Sequence, residues 1–242
     1  MADGDNRIIL LAGGSGLTGE RALEALLEAP EVGRVVAVSR RALGREHSRL
    51  ANRIVRFDTL EAQLKGLSCD AALCCIGTTR RQAGSAEAFR AVDIDVVLGF
   101  ARAAKAANAR RFVVISSVGA DPDSRNFYLR TKGEMEQELE ALGFESLDIL
   151  QPSILLGWRR EMRPLELIGV ALMPLINPLL AGRYQNYRGI SARTVGAAML
   201  GATRSGRKGV QRYTWPGIVA LSRVSPPKSR ALPQAKAPAR AR

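Results

Sequence analysis

Short apolar runs recur along the first two thirds of this 242-residue chain, and segments of helical periodicity separate them. The runs are apolar throughout, which is typical of parallel strands buried on both faces. They predict strands at residues 7–12, 34–39, 54–57, 71–76, 111–116 and 147–151. The intervening segments predict helices at residues 17–27, 85–107 and 124–142, the second with Ser85 as its N-cap. This alternation predicts the α/β class with a doubly wound parallel sheet.

The residues at the carboxyl ends of the predicted strands are suited to binding or catalysis. They are Gly13, Arg40, Asp58, Gly77, Ser116 and Ser153. Ligands of doubly wound sheets bind outside the carboxyl ends of the strands. Because these ends meet at one edge of the sheet, the pattern predicts one shared site.

The pattern changes from Gly157 onward. Residues 165–180 are mostly apolar but contain a glutamate and two prolines, so the segment is too interrupted to span a bilayer. We expect a substrate-side helix or lid there, with a membrane-surface contact as the alternative. A helix capped by Ser191 at residues 191–200 and a strand at Gly209–Tyr213 are predicted to follow. We therefore expect a single domain over residues 1–222, with substrate-side elements at 157–222.

The net charge of +13 would ordinarily indicate a nucleic-acid or anionic partner. Six of the basic residues, however, lie in residues 223–242, which contain no acidic residue. This segment is rich in Pro, Ala and Arg and cannot bury enough apolar surface to order itself. We expect residues 223–242 to form a disordered basic tail, and we expect no specific nucleic-acid partner.

The cysteine and histidine content limits the chemistry. Cys69, Cys74 and Cys75 are odd in number and two are adjacent, which indicates reduced thiols. His47 is the only histidine, so a metal site built from several histidines is excluded and no metal is expected. The polar, acidic first residues do not resemble a signal peptide. We expect a cytoplasmic protein without a transmembrane segment.

A glycine-rich turn follows the first predicted strand. Gly13, Gly16 and Gly19 separate this strand from the first predicted helix. The order strand, glycine turn, helix is typical of a Rossmann dinucleotide site, in which the pyrophosphate binds the unpaired N–H groups of the helix N-terminus. Gly13 permits the turn, Gly16 leaves room for the phosphates, and Gly19 lets the helix pack closely on the strand.

Two arginines after the second predicted strand favour NADPH over NADH. Sites for NADH usually carry an acidic residue there, whereas arginine accommodates a 2′-phosphate. Arg40 and Arg41 occupy this position, and no carboxylate follows before Glu46. A guanidinium group binds phosphate through paired, charge-assisted hydrogen bonds; the alternative is that both arginines are solvated surface charges. Asp58, after the third predicted strand, is suited to accept from the adenine amino group or to cap the next helix.

Tyr128 and Lys132 lie four residues apart, on one face of a predicted helix, and Ser116 and Ser117 end the preceding strand. Reduction of a carbonyl group needs a hydride on carbon and a proton on oxygen. A tyrosine with the ordinary pKa of about 10 is a poor base at neutral pH, but a nearby cation favours its phenolate. We assign Tyr128 as the acid/base, Lys132 as its electrostatic partner, and Ser116, in preference to Ser117, as the residue that orients the carbonyl oxygen.

This combination resembles the short-chain dehydrogenase/reductases. It is similar in particular to the atypical branch that contains the Tat-interacting metastasis suppressor and its bacterial relatives. The motifs that carry this similarity are CIGTTR at 75–80, VDID at 92–95, SSVGAD at 116–121, YLRTKGE at 128–134 and GWRREMRP at 157–164. The resemblance covers roughly residues 6–221 and implies an NADPH-binding, reductase-like fold that is monomeric or weakly associating.

The resemblance also implies roles for individual residues. From the phosphates to the nicotinamide, the implied contacts are Ser15, Gly16, Leu17 and Thr18 (phosphates), Arg40 and Arg41 (2′-phosphate), Ile76 and Gly77 (adenosine ribose), Tyr128 and Lys132 (nicotinamide ribose and proton transfer), and Leu155 and Arg163 (nicotinamide end). The chain departs from the pattern in two places. Gln151-Pro-Ser153 stands where relatives have Arg-Pro-Gly, and the asparagine of the proton relay has no match near Val92 and Asp93.

The sequence therefore predicts an NADPH-dependent oxidoreductase acting on a small carbonyl or alcohol substrate. One alternative is an NADPH-binding sensor or interaction module without turnover, which would recruit a protein partner. A second alternative is a nucleotide-sugar epimerase or dehydratase. It is less favoured because those enzymes usually have a larger C-terminal substrate domain than this chain can provide.

Overall fold

The apolar runs pair in one parallel sheet. A computed structural model describes residues 6–156, 177 and 180–226. Its strands are β1 (Arg7–Ala12), β2 (Val32–Ser39), β3 (Leu50–Ile54), β4 (Ala71–Cys74), β5 (Arg111–Ile115), β6 (Ser146–Leu150), β7 (Leu155–Leu156), β8 (Ile190–Ser191) and β9 (Gly209–Tyr213). Seven of them form a sheet in the order β3-β2-β1-β4-β5-β6-β9, with every neighbouring pair parallel. The short β7 and β8 pair separately.

Helices cover both faces of the sheet. They are α1 (Leu17–Glu28), α2 (Leu60–Gln63), α3 (Arg80–Ala83), α4 (Ala86–Arg90), α5 (Val97–Ala106), α6 (Phe127–Ala141), α7 (Ala192–Arg204) and α8 (Trp215–Leu221). A π-helical segment, Ala91–Val96, joins α4 to α5. Each face has its own core, with Phe100 and Phe112 in one and Leu26 and Met199 in the other. The predicted α/β class with a doubly wound sheet is confirmed.

The third strand lies earlier than predicted. β3 ends at Ile54, where the sequence predicted a strand to begin, and Phe57–Thr59 forms a 3-10 helix. The Asn52 side chain explains the shift, because its Nδ2 donates to Ala37 O (3.1 Å) and Ser39 Oγ (2.8 Å) and so fastens this segment to β2. The hydrogen bonds of Asn52 therefore determine which residues of β3 pair with β2, and the apolar pattern of the sequence did not show this.

Polar side chains cap the N-termini of two helices, and a third predicted feature, one long helix, is interrupted. α6 begins at Phe127 rather than at residue 124, because Asn126 Oδ1 accepts from the N–H of Tyr128 (2.9 Å) and of Leu129 (3.3 Å). Ser85 is the N-cap of α4, as predicted. The long helix predicted at 85–107 is interrupted, however, by the π-helical segment.

Parts of the predicted C-terminal organisation lie outside the described residues. These are residues 157–176, with Arg163 and most of the predicted helix or lid at 165–180, and residues 227–242 of the predicted tail. Within the described part, Ser191 caps α7 and the strand Gly209–Tyr213 forms, both as predicted. No helix in that part is long and apolar enough to cross a membrane.

Candidate active site

The first helix begins at the carboxyl end of β1 with an open N-terminus. Gly16 is its N-cap residue and, lacking a side chain, makes no capping hydrogen bond. Its own N–H donates to Gly13 O over 3.0 Å, which closes the turn. The N–H groups of the first turn of α1 are therefore available to an anion, which the helix dipole also favours.

Two glycines set the close packing of this turn. Gly13 has φ = +78°, and a Cβ there would lie 2.6 Å from the carbonyl carbon and oxygen of Cys75. A Cβ on Gly19 would lie 1.9 Å from Gly13 O. A side chain at either position would collide with backbone atoms, so only glycine allows the loop, α1 and β4 to come this close. The resulting cradle of backbone N–H groups fits a dinucleotide pyrophosphate.

A cavity of about 1060 Å³ opens above the carboxyl ends of β1, β4 and β5. The predicted site residues in its wall are Ser15, Gly16, Leu17, Thr18, Ile76, Gly77, Ser116, Tyr128, Lys132 and Leu155. Sequence reasoning gave no site role to the other residues that line it, which are Glu20, Cys75, Thr78, Thr79, Arg80, Arg81, Gln82, Asp93 and Ile115. The structure thus brings the glycine loop and the predicted acid/base residues to one cavity.

Three predicted cofactor-binding side chains lie away from this cavity. Arg40 and Arg41 are exposed, directly after β2, and do not line this cavity. Asp58 lies away from it too, and its Oδ2 pairs with the Arg56 guanidinium at 2.6 Å, which lowers the pKa of the Asp58 carboxyl. Arg163 is outside the described residues.

Lys132 is a buried cation in the cavity wall. Its Nζ lies 2.6 Å from Asp93 Oδ1, and both side chains are almost completely inaccessible to solvent. Burial by itself lowers the pKa of Lys132, but the Asp93 carboxylate and Tyr128 more than offset this, so that the pKa lies above its usual value. Tyr128, one turn earlier on α6, packs its ring against Phe89 and keeps 37% of its surface exposed.

Asp93 is the main functional residue that the sequence did not assign. It lies in the π-helical segment, and its Oδ2 accepts from the N–H of Thr78 over 2.9 Å. The only sequence signal was the absence of the family's asparagine in this region. The structure shows that a carboxylate paired with Lys132 occupies it instead.

A second buried carboxylate lies behind Ser116. The Ser116 hydroxyl donates to Glu136 Oε1, while Gln151 Nε2 donates to Oε1 (2.9 Å) and Oε2 (3.2 Å) and Arg212 Nε donates to Oε2 (2.9 Å). Every one of these partners is a donor, as an ionised carboxylate requires. Gln151, one of the departures in sequence, is therefore part of this network. Ser117 does not line the cavity, so the geometry favours Ser116.

Comparison with known proteins agrees with this geometry. A family model described as NAD(P)H-binding matches residues 13–161, which is more than half of the chain.

The chain belongs to this NAD(P)H-binding family.

Curated relatives of this NAD(P)H-binding protein confirm the resemblance drawn from the motifs. Protein HTATIP2 of Rattus norvegicus is 38% identical over 165 residues, which cover 66% of this chain and 68% of the relative. Protein fmp52, mitochondrial, of Emericella nidulans is 38% identical over 168 residues, which cover 66% and 72%. The similarity thus extends over most of each relative.

Solved structures support the fold alone. A UDP-N-acetylglucosamine 4-epimerase from Methanobrevibacter ruminantium has a TM-score of 0.64 at 16% identity, covering 87% of this chain and 77% of its own. The Bordetella bronchiseptica enzyme WbmG, solved with NAD, has a TM-score of 0.65 at 14% identity, covering 88% and 74%. At these identities, the likeness establishes a shared Rossmann-like architecture for the NAD(P)H-binding domain.

The cytoplasmic location expected from the sequence is wrong by this comparison. The relatives from Emericella nidulans, Meyerozyma guilliermondii and Candida albicans are all named mitochondrial proteins. The expectation depended on the polar, acidic first residues, and such residues carry no information on the compartment.

Proposed function

We propose that this protein is an NADPH-dependent oxidoreductase that acts on a small carbonyl or alcohol substrate. The observation that carries the proposal is the single cavity at the carboxyl edge of the sheet. The open N-terminus of α1 forms one side of it, and Ser116, Tyr128 and Lys132 form another. A phosphate-binding helix end beside a tyrosine and a buried lysine is the arrangement that hydride transfer with acid catalysis requires.

The residues of the chain would divide the work as follows. A bound NADPH supplies the hydride. The first turn of α1 binds the pyrophosphate, Tyr128 donates its phenolic proton to the substrate oxygen, and Lys132 stabilises the negative charge that then develops on Tyr128. The half-buried position of Tyr128 gives its hydroxyl access to substrate, whereas the buried Lys132 acts from behind it.

The direct test is to measure cofactor binding and then turnover on the purified protein. We expect saturable NADPH binding, by fluorescence or calorimetry, with a Kd in about the micromolar range. We also expect oxidation of NADPH with at least one member of a panel of aldehydes and ketones. Absence of NADPH binding would refute the proposal.

Arg40 and Arg41 provide a separate prediction on cofactor choice. Replacing both with alanine removes charge-assisted hydrogen bonds to the 2′-phosphate, so NADPH binding should weaken by about 10–100-fold, and NADH binding by less than about twofold. The control is the double variant Arg34→Ala/Arg102→Ala, which removes the same charge from two exposed arginines elsewhere. Equal losses for the two cofactors would show that Arg40 and Arg41 are surface charges only.

A second candidate function is NADPH binding without turnover, as in a sensor or interaction module. The Ser116 network favours it, because the proton of the Ser116 hydroxyl is already donated to Glu136 and is not free for a substrate carbonyl. Tight NADPH binding without turnover on any carbonyl of the panel would select this candidate. The epimerase alternative is supported by fold likeness alone.

A further inference from the structure

An unusual helical segment places Asp93 beside the proposed acid/base pair. Ala91–Val96 is π-helical, between α4 and α5, and such segments are frequent at functional sites. Asp93 is fully buried there, with Oδ1 2.6 Å from Lys132 Nζ and Oδ2 accepting from the Thr78 N–H. A Cβ on Gly77 would lie 3.5 Å from Asp93 Oδ1 and 3.8 Å from Lys132 Nζ, so the pair forms the wall of the cavity at this point.

This geometry changes what Lys132 can do for Tyr128. A cation near a tyrosine stabilises its phenolate, typically by about 1–3 pKa units at contact distance. In this chain, a carboxylate lies against the same cation, so Tyr128 meets a compensated ion pair rather than a bare positive charge. The field that favours the phenolate is weakened as a result.

We propose that Asp93 is a positioning residue that holds Lys132 in a buried ion pair and thereby keeps Tyr128 in its phenol form at neutral and mildly alkaline pH. The proposal rests on the proposed function for its catalytic meaning. During carbonyl reduction, the O–H bond of Tyr128 breaks as the O–H bond of the product forms, while the two electrons arrive as hydride from NADPH. Only the phenol can take this part, so Asp93 extends the reaction to higher pH.

Other charged and titratable groups also lie near this cluster. From β4, the Cys74 thiol has its pKa raised by burial to about 12 and so stays neutral. Glu20 from α1 and Arg80 and Arg81 from α3 line the same cavity. On α6 itself, the Glu136 carboxylate is bound by its own donors, as described above. All of these groups are unchanged in a variant at position 93.

The test is an absorbance titration of tyrosinate on the protein without cofactor, comparing wild type with Asp93→Asn. Asparagine keeps the shape and an acceptor for the Thr78 N–H but removes the negative charge. We expect one of the four tyrosines to ionise about one pH unit or more lower in Asp93→Asn, and we expect this change to disappear in Asp93→Asn/Tyr128→Phe. Asp95→Asn is the matched control, because Asp95 is exposed in the same π-helical segment, and its titration should follow wild type.

A second measurement uses wild type and does not depend on whether Asp93→Asn folds. The difference between the titrations of wild type and Tyr128→Phe isolates Tyr128, and we expect no tyrosinate signal from it at neutral pH. Tyrosinate formation at Tyr128 below about pH 8 in wild type, or an unshifted titration in a folded Asp93→Asn, would overturn the proposal. Because neither measurement needs cofactor or turnover, a failure here is distinct from a failure to bind or oxidise NADPH. Where a substrate is turned over, the pH above which the rate of reduction declines should be lower in Asp93→Asn, by the same number of pH units as the tyrosinate titration.

Discussion

Tyr128→Phe should lower the turnover of NADPH with a carbonyl substrate by about 10²–10⁴-fold, which is the usual contribution of a positioned general acid. The substitution removes only the hydroxyl group. The phenylalanine ring can still pack against Phe89, whose ring centroid lies 5.8 Å from that of Tyr128, so the fold and the melting temperature should be preserved. NADPH binding should weaken by about tenfold or less, because at most one hydrogen bond to the cofactor is lost.

Measuring kcat and the NADPH dissociation constant in parallel separates the two roles of this residue. Tyr187→Phe is the matched control, since it removes the same group from an exposed tyrosine that does not line the cavity, and its turnover should equal that of wild type. A Tyr128→Phe protein that turns over at the wild-type rate would show that Tyr128 is not the proton donor. A protein that binds NADPH but shows no turnover in either form would instead support the binding module.

The fold could be predicted from the sequence where burial alone decides the structure. β1 and β9 have their predicted bounds, and β2, β4, β5 and β6 lie at or close to their predicted positions. Strands buried on both faces must be apolar throughout, so their pattern is strong. The errors in the predicted bounds occur where the hydrogen bonds of one polar side chain determine where an element begins or ends, as with Asn52 at β3 and Asn126 at the start of α6. Such bonds leave no periodic signal.

The candidate site could be predicted in its outline but not in its electrostatics. The glycine spacing and the i, i+4 pair of Tyr128 and Lys132 are local patterns, and both reach the cavity. Asp93 and Glu136, by contrast, act through pairings with residues 39 and 20 positions away along the chain, which no short motif encodes. The two departures from the family's pattern were the available signals, since Asp93 occupies the region of the absent asparagine and Gln151 binds Glu136.

Alanine substitutions at two glycines of the first loop should differ in their effects on the unfolding free energy and on NADPH binding. A Cβ on Gly19 would lie 1.9 Å from Gly13 O, so Gly19→Ala must push α1 away from the loop. Because the obstacle is backbone rather than a flexible side chain, we expect a loss of unfolding free energy of about 1–3 kcal/mol or more, together with loss of NADPH binding. Urea or thermal unfolding of the protein without cofactor measures the first effect directly.

Gly16→Ala is the informative partner of this variant. Gly16 has φ = −85°, which alanine adopts readily, and the nearest atom to a Cβ there, Gly13 O, would be 3.4 Å away. The unfolding free energy should therefore stay within about 0.5–1 kcal/mol of wild type. The new methyl group would stand at the open N-terminus of α1, where the pyrophosphate is proposed to bind, so NADPH binding should weaken by at least about tenfold. If Gly16→Ala bound NADPH as tightly as wild type, the phosphates would not approach this residue, and the loop would serve only to pack α1.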